Sequence, residues 1–378
     1  MSTTPISGAA DLVREVNAFN AKVASGIEKL NAIKDEQIQI ATAPKEEIFR
    51  TDKVTLYRYT PLTESRFHTP MLIIYGLIGR HTMTDLQEDR SLVRNLLNQG
   101  VDLWVVDWGN ASRADRWLTI DDYVSGYLDD CVTAMCKATG ESKVNMLGIC
   151  EGGVFAIAYA ALEPARVRNL VLTITPLDFH ADLSDDISEQ GFINVWTRSL
   201  TDEDVDQMIE VWGVLPGEFM SAIFSMMTPI RSLTKYNLDL VDIVDDEKKL
   251  LNFLRMEKWL ADRPHHPGEA AKEWLKDLYQ QNKLVNNTWE LGGRKVDLRQ
   301  VSMPVLNIYA ESDTIIPPRT SRALDGRVGT DDYTELGLPG GHVGVFVSGK
   351  SQGIVGKGIA DWLVERDAAE HSGKSTAS

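Results

Sequence analysis

The run Gly148-Ile149-Cys150-Glu151-Gly152-Gly153 carries the strongest structural signal in the chain. The apolar residues 143–147 before it are typical of a strand, and residues 154–160 after it are typical of a helix. A strand, a sharp glycine-flanked turn and a helix form a nucleophile elbow, whose usual pattern is G-x-S-x-G. Glycines are needed because the nucleophile lies in a strained backbone conformation against closely packed neighbours. The pattern predicts Cys150 as a nucleophile suited to thioester exchange, the alternative being a buried structural cysteine.

Two polar residues downstream have the contexts that the acid and the base of such a site require. Residues 305–310 are typical of a buried strand, and Asp313 follows shortly after it. Residues 333–336 are typical of another strand, which leads into a glycine-rich loop that carries His342. Alone, each could be a turn or loop residue. Together, Cys150, Asp313 and His342 follow the nucleophile–acid–histidine order of the α/β-hydrolase fold, and we expect them to form a catalytic triad.

The alternation of strands and helices predicts a mostly parallel sheet covered by helices on both faces, as in the α/β-hydrolase fold. The expected strands cover residues 71–75, 101–106, 143–147 and 170–174, the expected helices cover residues 86–98 and 121–137, and two antiparallel strands open the sheet before residue 60.

The alternation of strands and helices stops between residues 178 and 298, which are helix-like and rich in aromatic residues and methionine. We therefore divide the chain into an N-terminal amphipathic helical segment (1–44), a hydrolase core (45–177 and 299–366), a cap insertion (178–298) and a disordered tail (367–378). Most aromatic residues of the insertion are expected to form the core of the cap, and a minority could line an acyl channel.

Apolar residues recur every three or four positions in the N-terminal segment, which predicts an amphipathic helix. They are Leu12, Val16, Phe19, Val23, Ile27, Leu30 and Ile33. Two interpretations stay open: the helix covers the core of the enzyme, or it docks a partner subunit.

Several long runs resemble one known family. They are residues 84–92, 105–109, 113–119, 253–259 and 340–342. On these runs the chain resembles the catalytic subunit of class III polyhydroxyalkanoate synthases, from about residue 45 to about residue 365. The resemblance implies that Cys150 accepts the acyl group of a 3-hydroxyacyl-CoA, that His342 is its base and that Asp313 completes the triad. It also implies an accessory synthase subunit, assembly as a homo- or hetero-oligomer, and a location in the cytoplasm at the growing polyester granule.

An oxyanion hole needs backbone N–H donors aimed at the developing negative charge. We expect one donor from Glu151, directly after the nucleophile, and another from Leu77 or Ile78, in the loop after the strand at 71–75. The family usually carries Gln where Glu151 stands. A carboxylate facing Cys150 would raise the thiol pKa, whereas a carboxylate pointing away would leave only the amide relevant. We expect His81, in the same loop, to be a polar surface residue.

Composition excludes several functions. A net charge of −16 argues against binding nucleic acid, whose phosphates require Lys and Arg. No apolar stretch has the length of a membrane span, and no signal peptide is evident. The three cysteines suggest a reducing cytoplasm, with Cys131 and Cys136 as structural thiols on one helix. The pair His265-His266 has no accompanying cluster of ligands, so we expect neither a metal site nor a cofactor.

The expected reaction is polymerisation of 3-hydroxyacyl-CoA, with 3-hydroxybutyryl-CoA as the main candidate, through a cysteine acyl-enzyme that releases CoA. An acyl-CoA thioesterase or a polyester hydrolase on the same fold would share the triad, so the triad cannot discriminate between these activities. A third alternative is a non-catalytic protein that binds or scaffolds the granule.

Overall fold

A computed structural model of the chain describes residues 8–184, 186, 189–227 and 240–374. Within these residues, eight strands form one sheet. They are β1 (Lys45–Thr51), β2 (Val54–Tyr59), β3 (Met71–Ile74), β4 (Leu103–Asp107), β5 (Val144–Ile149), β6 (Val167–Thr173), β7 (Val305–Ala310) and β8 (Tyr333–Leu338). Their order is β1-β2-β4-β3-β5-β6-β7-β8, with β1, β2 and β4 paired antiparallel and the other pairs parallel. The predicted mostly parallel sheet is confirmed.

The central strands are buried on both faces, as expected for parallel strands covered by helices. Every residue of β3 and β5 is buried, which is why their sequences are almost continuously apolar. The register of these two strands aligns Ile74 with Gly148. The loop after β3 therefore starts beside the turn that carries Cys150.

The helices of the described residues are α1 (Gly8–Ala32), α2 (Leu92–Asn98), α3 (Asp129–Thr139), α4 (Glu151–Leu162), α5 (Phe192–Ser199), α6 (Asp202–Trp212), α7 (Gly217–Met226), α8 (Leu240–Ile243), α9 (Glu247–Ala261), α10 (Gly268–Lys272), α11 (Pro318–Arg322), α12 (Gly344–Val347) and α13 (Gln352–Lys374). A π-helical stretch precedes α3 (Asp122–Leu128), and another follows α10 (Glu273–Gln280). Short strand pairs join Asp85–Gln87 to Arg90–Ser91, Val214–Leu215 to His266–Pro267, and Glu290–Leu291 to Arg294–Lys295.

Two predicted helices differ in the structure. The helix expected from residue 86 begins only at Leu92, because the residues before it form a short hairpin. Ser91 caps this helix, since its Oγ accepts a hydrogen bond of 2.9 Å from the amide of Arg94. The helix expected at 121–137 opens with the π-helical stretch and ends at Gly140, whose φ of +79° is a left-handed cap.

The chain folds as two compact units. One comprises residues 1–40 and 221–261, and the other comprises residues 41–220 and 262–378. Parts of the predicted cap, residues 178–220 and 262–298, therefore belong to the same unit as the sheet.

The first unit joins the N-terminal helix to the middle of the insertion. Lys29 Nζ lies 2.5 Å from Asp245 Oδ1. Gly26 lies against Val244, and a methyl group at Gly26 would approach it to 2.9 Å. The helical prediction for this segment is confirmed.

The apolar stripe of α1 is only partly covered. Val16 is 49% exposed and Ile27 is 54% exposed. The side chains of Leu12 and Phe19 lie outside the described residues. The stripe thus contains surface that a partner could contact.

The C-terminal helix α13 continues to Lys374, past residue 366 where the predicted core ends. The last four residues of the expected tail, 375–378, lie outside the described residues.

Aromatic residues of the insertion form clusters within the second unit. Phe179, Trp274 and Tyr279 contact one another edge to face, with ring centroids 4.7–5.8 Å apart. Phe219 packs between Trp196 and Trp212. Tyr236 lies outside the described residues. The clusters agree with a mainly structural role for these side chains.

Candidate active site

Cys150 occupies the turn between β5 and α4, as the sequence predicts. Its φ of +53° and ψ of −123° are unusual for a residue with a side chain. The strain is held by two backbone hydrogen bonds, from Cys150 N to Thr173 O (3.0 Å) and from Gly153 N to Cys150 O (2.9 Å). At Gly152 any side chain would collide with the backbone of Ile74. The glycine is needed because α4 starts directly against the end of β3.

Asp313 and His342 come together at the carboxyl ends of β7 and β8. His342 Nδ1 lies 2.8 Å from Asp313 Oδ2. The other carboxylate oxygen of Asp313 accepts hydrogen bonds of 2.9 Å from the amides of both Ile315 and Ile316. Asp313 is 5% exposed, so its carboxylate is buried, and each of its oxygens has a hydrogen-bond partner. The Asp313 carboxylate can accept a hydrogen bond from a protonated Nδ1 of His342. The other ring nitrogen of His342 is then left for the nucleophile.

Burial alone would lower the pKa of His342, but the negative charges of Asp313 and Cys150 and the hydrogen bond to Asp313 outweigh burial and raise this pKa to about 10. The imidazolium form is therefore favoured at neutral pH. Of the three side chains that the sequence singled out, Asp313 and His342 are joined by a hydrogen bond, and the charge of Cys150 acts on His342.

Backbone hydrogen bonds tie the Asp313 loop to the His342 loop. Glu311 N donates to Leu338 O at 2.8 Å, and Ser312 N donates to Gly340 O at 2.9 Å. Because β7 and β8 are paired neighbours, these bonds extend the sheet's register into the loops. They keep the acid and the histidine at a fixed separation.

Glu151 makes contacts that the sequence did not reveal. Its Oε2 accepts hydrogen bonds from the amides of Leu77 (2.6 Å) and Ile78 (3.0 Å). Its Oε1 lies 2.7 Å from His266 Nε2. Glu151 is 1% exposed and His266 is 2% exposed, so the group is entirely internal. The carboxylate thus joins the elbow to the loop after β3.

These contacts bear directly on the predicted oxyanion hole. As the first residue of α4, Glu151 has an amide N–H without an intrahelical acceptor, as an oxyanion donor requires. The amides of Leu77 and Ile78 instead donate to the Glu151 carboxylate in this structure.

Three further residues near the nucleophile were missed by the sequence reasoning. Burial, followed by the charge of Cys150, raises the pKa values of the Tyr75 and Tyr279 phenols well above their usual range. Burial lowers the pKa of the Arg263 guanidinium, whose Nη1 donates to Ile78 O at 3.0 Å. Of these three residues, only Tyr75 could have been placed near the nucleophile from the sequence, because it directly follows β3.

A cleft lies at the carboxyl ends of β3 and β4. Tyr75, Arg80 and Trp108 are among the residues that line it. Trp108 Nε1 donates to Tyr75 O at 2.7 Å, which fixes one wall. The cleft combines aromatic, basic and backbone groups next to the loop after β3.

His81 also lines this cleft, and the expectation that it is a surface residue is wrong. It is 5% exposed, and its Nε2 has no hydrogen-bond partner within the described part of the chain. Burial lowers its pKa to about 4. A loop-like sequence does not show which neighbours cover the loop, and here they bury it.

The buried neutral His81 predicts a loss of stability in acid. Its pKa of about 4 lies below the ordinary value of about 6.5, so its contribution is complete above pH 6.5 and is lost as the pH falls toward 4. We expect His81→Leu to weaken the dependence of the unfolding free energy on pH between 6.5 and 4.5. Urea unfolding at several pH values measures this dependence. The matched control is His68→Leu, since the His68 side chain is 66% exposed; equal slopes for both variants would contradict the prediction.

The other two cysteines lie away from this arrangement as free thiols. Burial raises the pKa of Cys131 to about 12, so this thiol stays protonated and unreactive. His265 and His266 have separate partners, since His265 Nδ1 accepts from the amide of Gly217 at 3.0 Å. Among the described residues, no three His, Cys, Asp or Glu side chains are grouped to hold a metal ion.

None of the helices within the described residues is both long enough and apolar enough to cross a membrane.

Comparisons with known proteins agree with this architecture. The sequence profile described as alpha/beta hydrolase fold matches residues 69–348, and the profile of the poly-beta-hydroxybutyrate polymerase (PhaC) N-terminus matches residues 4–96. Relatives named poly(3-hydroxyalkanoate) polymerase subunit PhaC include a Synechocystis protein, 42% identical over 95% of this chain and 94% of that protein. Another, from Allochromatium vinosum, is 41% identical over 94% of this chain and 97% of that protein. The chain therefore belongs to the PhaC family of poly(3-hydroxyalkanoate) polymerases, and it has an α/β-hydrolase fold.

Proposed function

We propose that this protein polymerises 3-hydroxyacyl-CoA, with 3-hydroxybutyryl-CoA as the probe substrate, into a polyester and releases CoA. The observation that carries the proposal is a thiol at the nucleophile elbow, in a chain of the PhaC family whose His342 and Asp313 are hydrogen-bonded to each other. Cys150, His342 and Asp313 act as the catalytic triad.

The acylation step follows from the protonation of His342. Cys150 sulfur attacks the thioester carbonyl while His342 holds the thiol proton, and the carbonyl oxygen becomes an oxyanion beside the amide of Glu151. When the intermediate collapses, the carbon–sulfur bond to CoA breaks. His342 returns its proton to the departing CoA thiolate, and a hydroxyacyl thioester remains on Cys150. Asp313 Oδ2, 2.8 Å from His342 Nδ1, stabilises the proton-bearing form that this second half requires.

Elongation requires a hydroxyl group to attack a thioester carbonyl. An alcohol is far less acidic than a thiol, so this step depends strongly on a base that removes its proton. His342 is that base. Asp313 Oδ2 lies 2.8 Å from His342 Nδ1, and the carboxylate stabilises the imidazolium that results. The new ester bond forms as the carbon–sulfur bond to the enzyme breaks, and repetition yields polyester.

Water would divert the same intermediate to hydrolysis. Tyr75, Tyr279 and Trp274 are buried, and Trp274 packs against Tyr279 with the ring centroids 5.7 Å apart. Apolar surroundings exclude water and favour transfer to the growing chain. An acyl-CoA thioesterase or a polyester hydrolase would nevertheless use the same triad.

The decisive experiment follows the products. The pure protein is incubated with 3-hydroxybutyryl-CoA, with and without a candidate accessory subunit, and free CoA, turbidity and free 3-hydroxybutyrate are measured. We expect CoA and insoluble polymer in parallel, with little free acid. CoA with stoichiometric free acid would identify a thioesterase, and no CoA release would support a non-catalytic protein.

The PhaC relatives are named as subunits, which supports a partner for this chain. We propose an accessory subunit, assembly as a homo- or hetero-oligomer, and a cytoplasmic location at the surface of the polymer granule. Separation of cell extracts by density, followed by detection of the protein in the granule fraction, tests the location.

The exposed stripe of α1 predicts where the accessory subunit docks. Val16→Asp combined with Ile27→Asp should leave the melting temperature nearly unchanged, because both side chains are about half exposed. The same pair should weaken the partner's apparent affinity by roughly tenfold or more, as expected when apolar contacts are lost at an interface. Titration of the partner against CoA release measures this affinity.

The matched control places the same charges on the other side of the helix, as Ala18→Asp combined with Ala21→Asp. Both control residues are exposed, so stability should again be kept. Unaltered partner affinity in the stripe variant, or equal losses in both variants, would show that the stripe is not the docking surface.

A further inference from the structure

The side chain of Glu151 is a buried carboxylate with every hydrogen bond satisfied. Such a group costs free energy to bury unless donors surround it, and here three donors do so. Leu77 N, Ile78 N and His266 Nε2 lie at 2.6, 3.0 and 2.7 Å.

The contacts of His266 show where protons lie in the pair formed by Glu151 and His266. His266 Nδ1 lies 3.3 Å from Pro267 O, a carbonyl that can only accept, so Nδ1 carries a proton. One further proton then lies between His266 Nε2 and Glu151 Oε1. Whether it resides on nitrogen or oxygen, the same hydrogen bonds form.

The group joins three separate chain segments. Glu151 begins α4 beside the nucleophile, Leu77 and Ile78 lie in the loop after β3, and His266 lies in the short strand that pairs with Val214–Leu215. Gly76 is required at its place, because a methyl group there would approach Glu151 Oε2 to 2.5 Å. The loop after β3 is thus clamped to the elbow by side-chain contacts as well as by the sheet.

We propose that the side chains of Glu151 and His266 are positioning residues that clamp the loop after β3 against the elbow and so fix the oxyanion site in advance of the reaction. In this arrangement the amides of Leu77 and Ile78 hold the Glu151 carboxylate and do not hold the oxyanion. Preorganised donors lower the barrier because they need no rearrangement as charge develops. The inference rests on the proposed function, whose acylation step supplies the oxyanion.

Glutamine at position 151 would preserve the clamp. Its carbonyl oxygen can accept from Leu77 N and Ile78 N, while its NH₂ donates to the unprotonated Nε2 of a neutral His266. The clamp therefore needs the hydrogen bonds and not the negative charge. This explains how the family's usual residue and Glu151 can serve the same purpose.

The test compares Glu151→Gln, Glu151→Leu and the double variant Glu151→Leu with His266→Leu. The double variant removes His266 together with its partner, so no buried imidazole is left unpaired, and this guards against simple misfolding of the single leucine variant. The control is Glu163→Leu, which removes a carboxylate at the other end of α4, where Glu163 pairs with Arg294 at the surface. Melting temperatures report the stability of all four proteins.

Three readouts separate positioning from general stability. Single-turnover CoA release from 3-hydroxybutyryl-CoA should fall roughly 10- to 100-fold in both leucine variants, with an unchanged KM, and stay within about threefold in Glu151→Gln and the control. Alkylation of Cys150 by iodoacetamide forms no oxyanion and should proceed at the wild-type rate. Hydrogen exchange of the Leu77 and Ile78 amides should accelerate only in the leucine variants.

Several outcomes would overturn the inference. Faster CoA release in the leucine variants would mean that the carboxylate blocks an oxyanion site at Leu77 and Ile78. An equal loss in Glu151→Gln would mean that charge and not hydrogen bonding matters. Unchanged exchange of both amides would show that the clamp is absent. If wild-type protein releases no CoA, the proposed function fails, while the exchange experiment still decides whether the clamp exists.

Discussion

Cys150→Ala should abolish CoA release from 3-hydroxybutyryl-CoA, with a fall of more than about 10⁴-fold, as loss of a nucleophile typically causes. Cys150 directly follows β5 in a strained conformation, and of the three thiols it is the one whose charge acts on His342. Alanine retains the backbone and the amide of Glu151, so substrate should still bind. Stopped-flow detection of free CoA, together with mass spectrometry of the acylated protein, measures both the rate and the covalent intermediate.

The other two thiols provide the controls. Cys131→Ala and Cys136→Ala should each keep most of the activity, because both thiols lie within α3 and not at the elbow, and burial raises the pKa of Cys131 to about 12. Substantial turnover by Cys150→Ala, or an acyl group found on Cys131 or Cys136, would refute the assignment of the nucleophile.

The position of Cys150 at a turn between a strand and a helix was predictable because its signal is local. The Gly–x–Cys–x–Gly turn, the strand before it and the helix after it lie within twenty residues, and each has a direct physical requirement. Asp313 and His342 were predictable for a related reason. Both follow strand-like runs, and the carboxyl ends of parallel strands meet at one edge of the sheet.

The contact between Glu151 and His266 was not predictable in the same way. Glu151 and His266 are 115 positions apart, and His266 lies on a two-residue strand without a periodic pattern. The adjacent His265 made the pair look like possible metal ligands, although the two rings serve different partners. Contacts of this kind depend on how the insertion folds, which no local pattern records.

The unit formed by residues 1–40 and 221–261 shows the same limit. The periodicity of the first segment predicted its helix, and the lack of strands after residue 178 predicted an insertion. Neither pattern says that Lys29 pairs with Asp245. Hydrophobic periodicity identifies the face of a helix that is apolar, but it does not identify the segment that covers this face.

Asp313→Asn should slow elongation far more than acylation. Asp313 Oδ1 accepts from the amides of Ile315 and Ile316, so the asparagine carbonyl oxygen must take that position and its NH₂ must face His342. His342 Nδ1 then accepts a hydrogen bond, and its proton moves to the nitrogen that faces Cys150. In this tautomer His342 cannot remove a proton from either nucleophile.

The two nucleophiles differ in how much they need this base. An ordinary thiol with a pKa of about 8.5 is roughly 3% thiolate at pH 7, so acylation can continue with a loss of about 30-fold. An alcohol has no comparable ionised fraction, and elongation should fall by about 10³-fold or more. His342→Ala should impair both steps, since it also removes the imidazolium that protonates the departing CoA.

Raising the pH separates these effects. In Asp313→Asn, single-turnover acylation should recover toward the wild-type rate between pH 7 and pH 9 as the thiolate fraction increases, whereas steady-state polymer formation should not. Polymer turbidity and single-turnover CoA release are measured on the same preparations. Equal losses in both steps, or recovery of polymer formation at pH 9, would show that Asp313 does not act by directing the proton of His342. The asymmetry thus tests whether one histidine, oriented by one buried carboxylate, serves a nucleophile that hardly needs a base and another that cannot react without one.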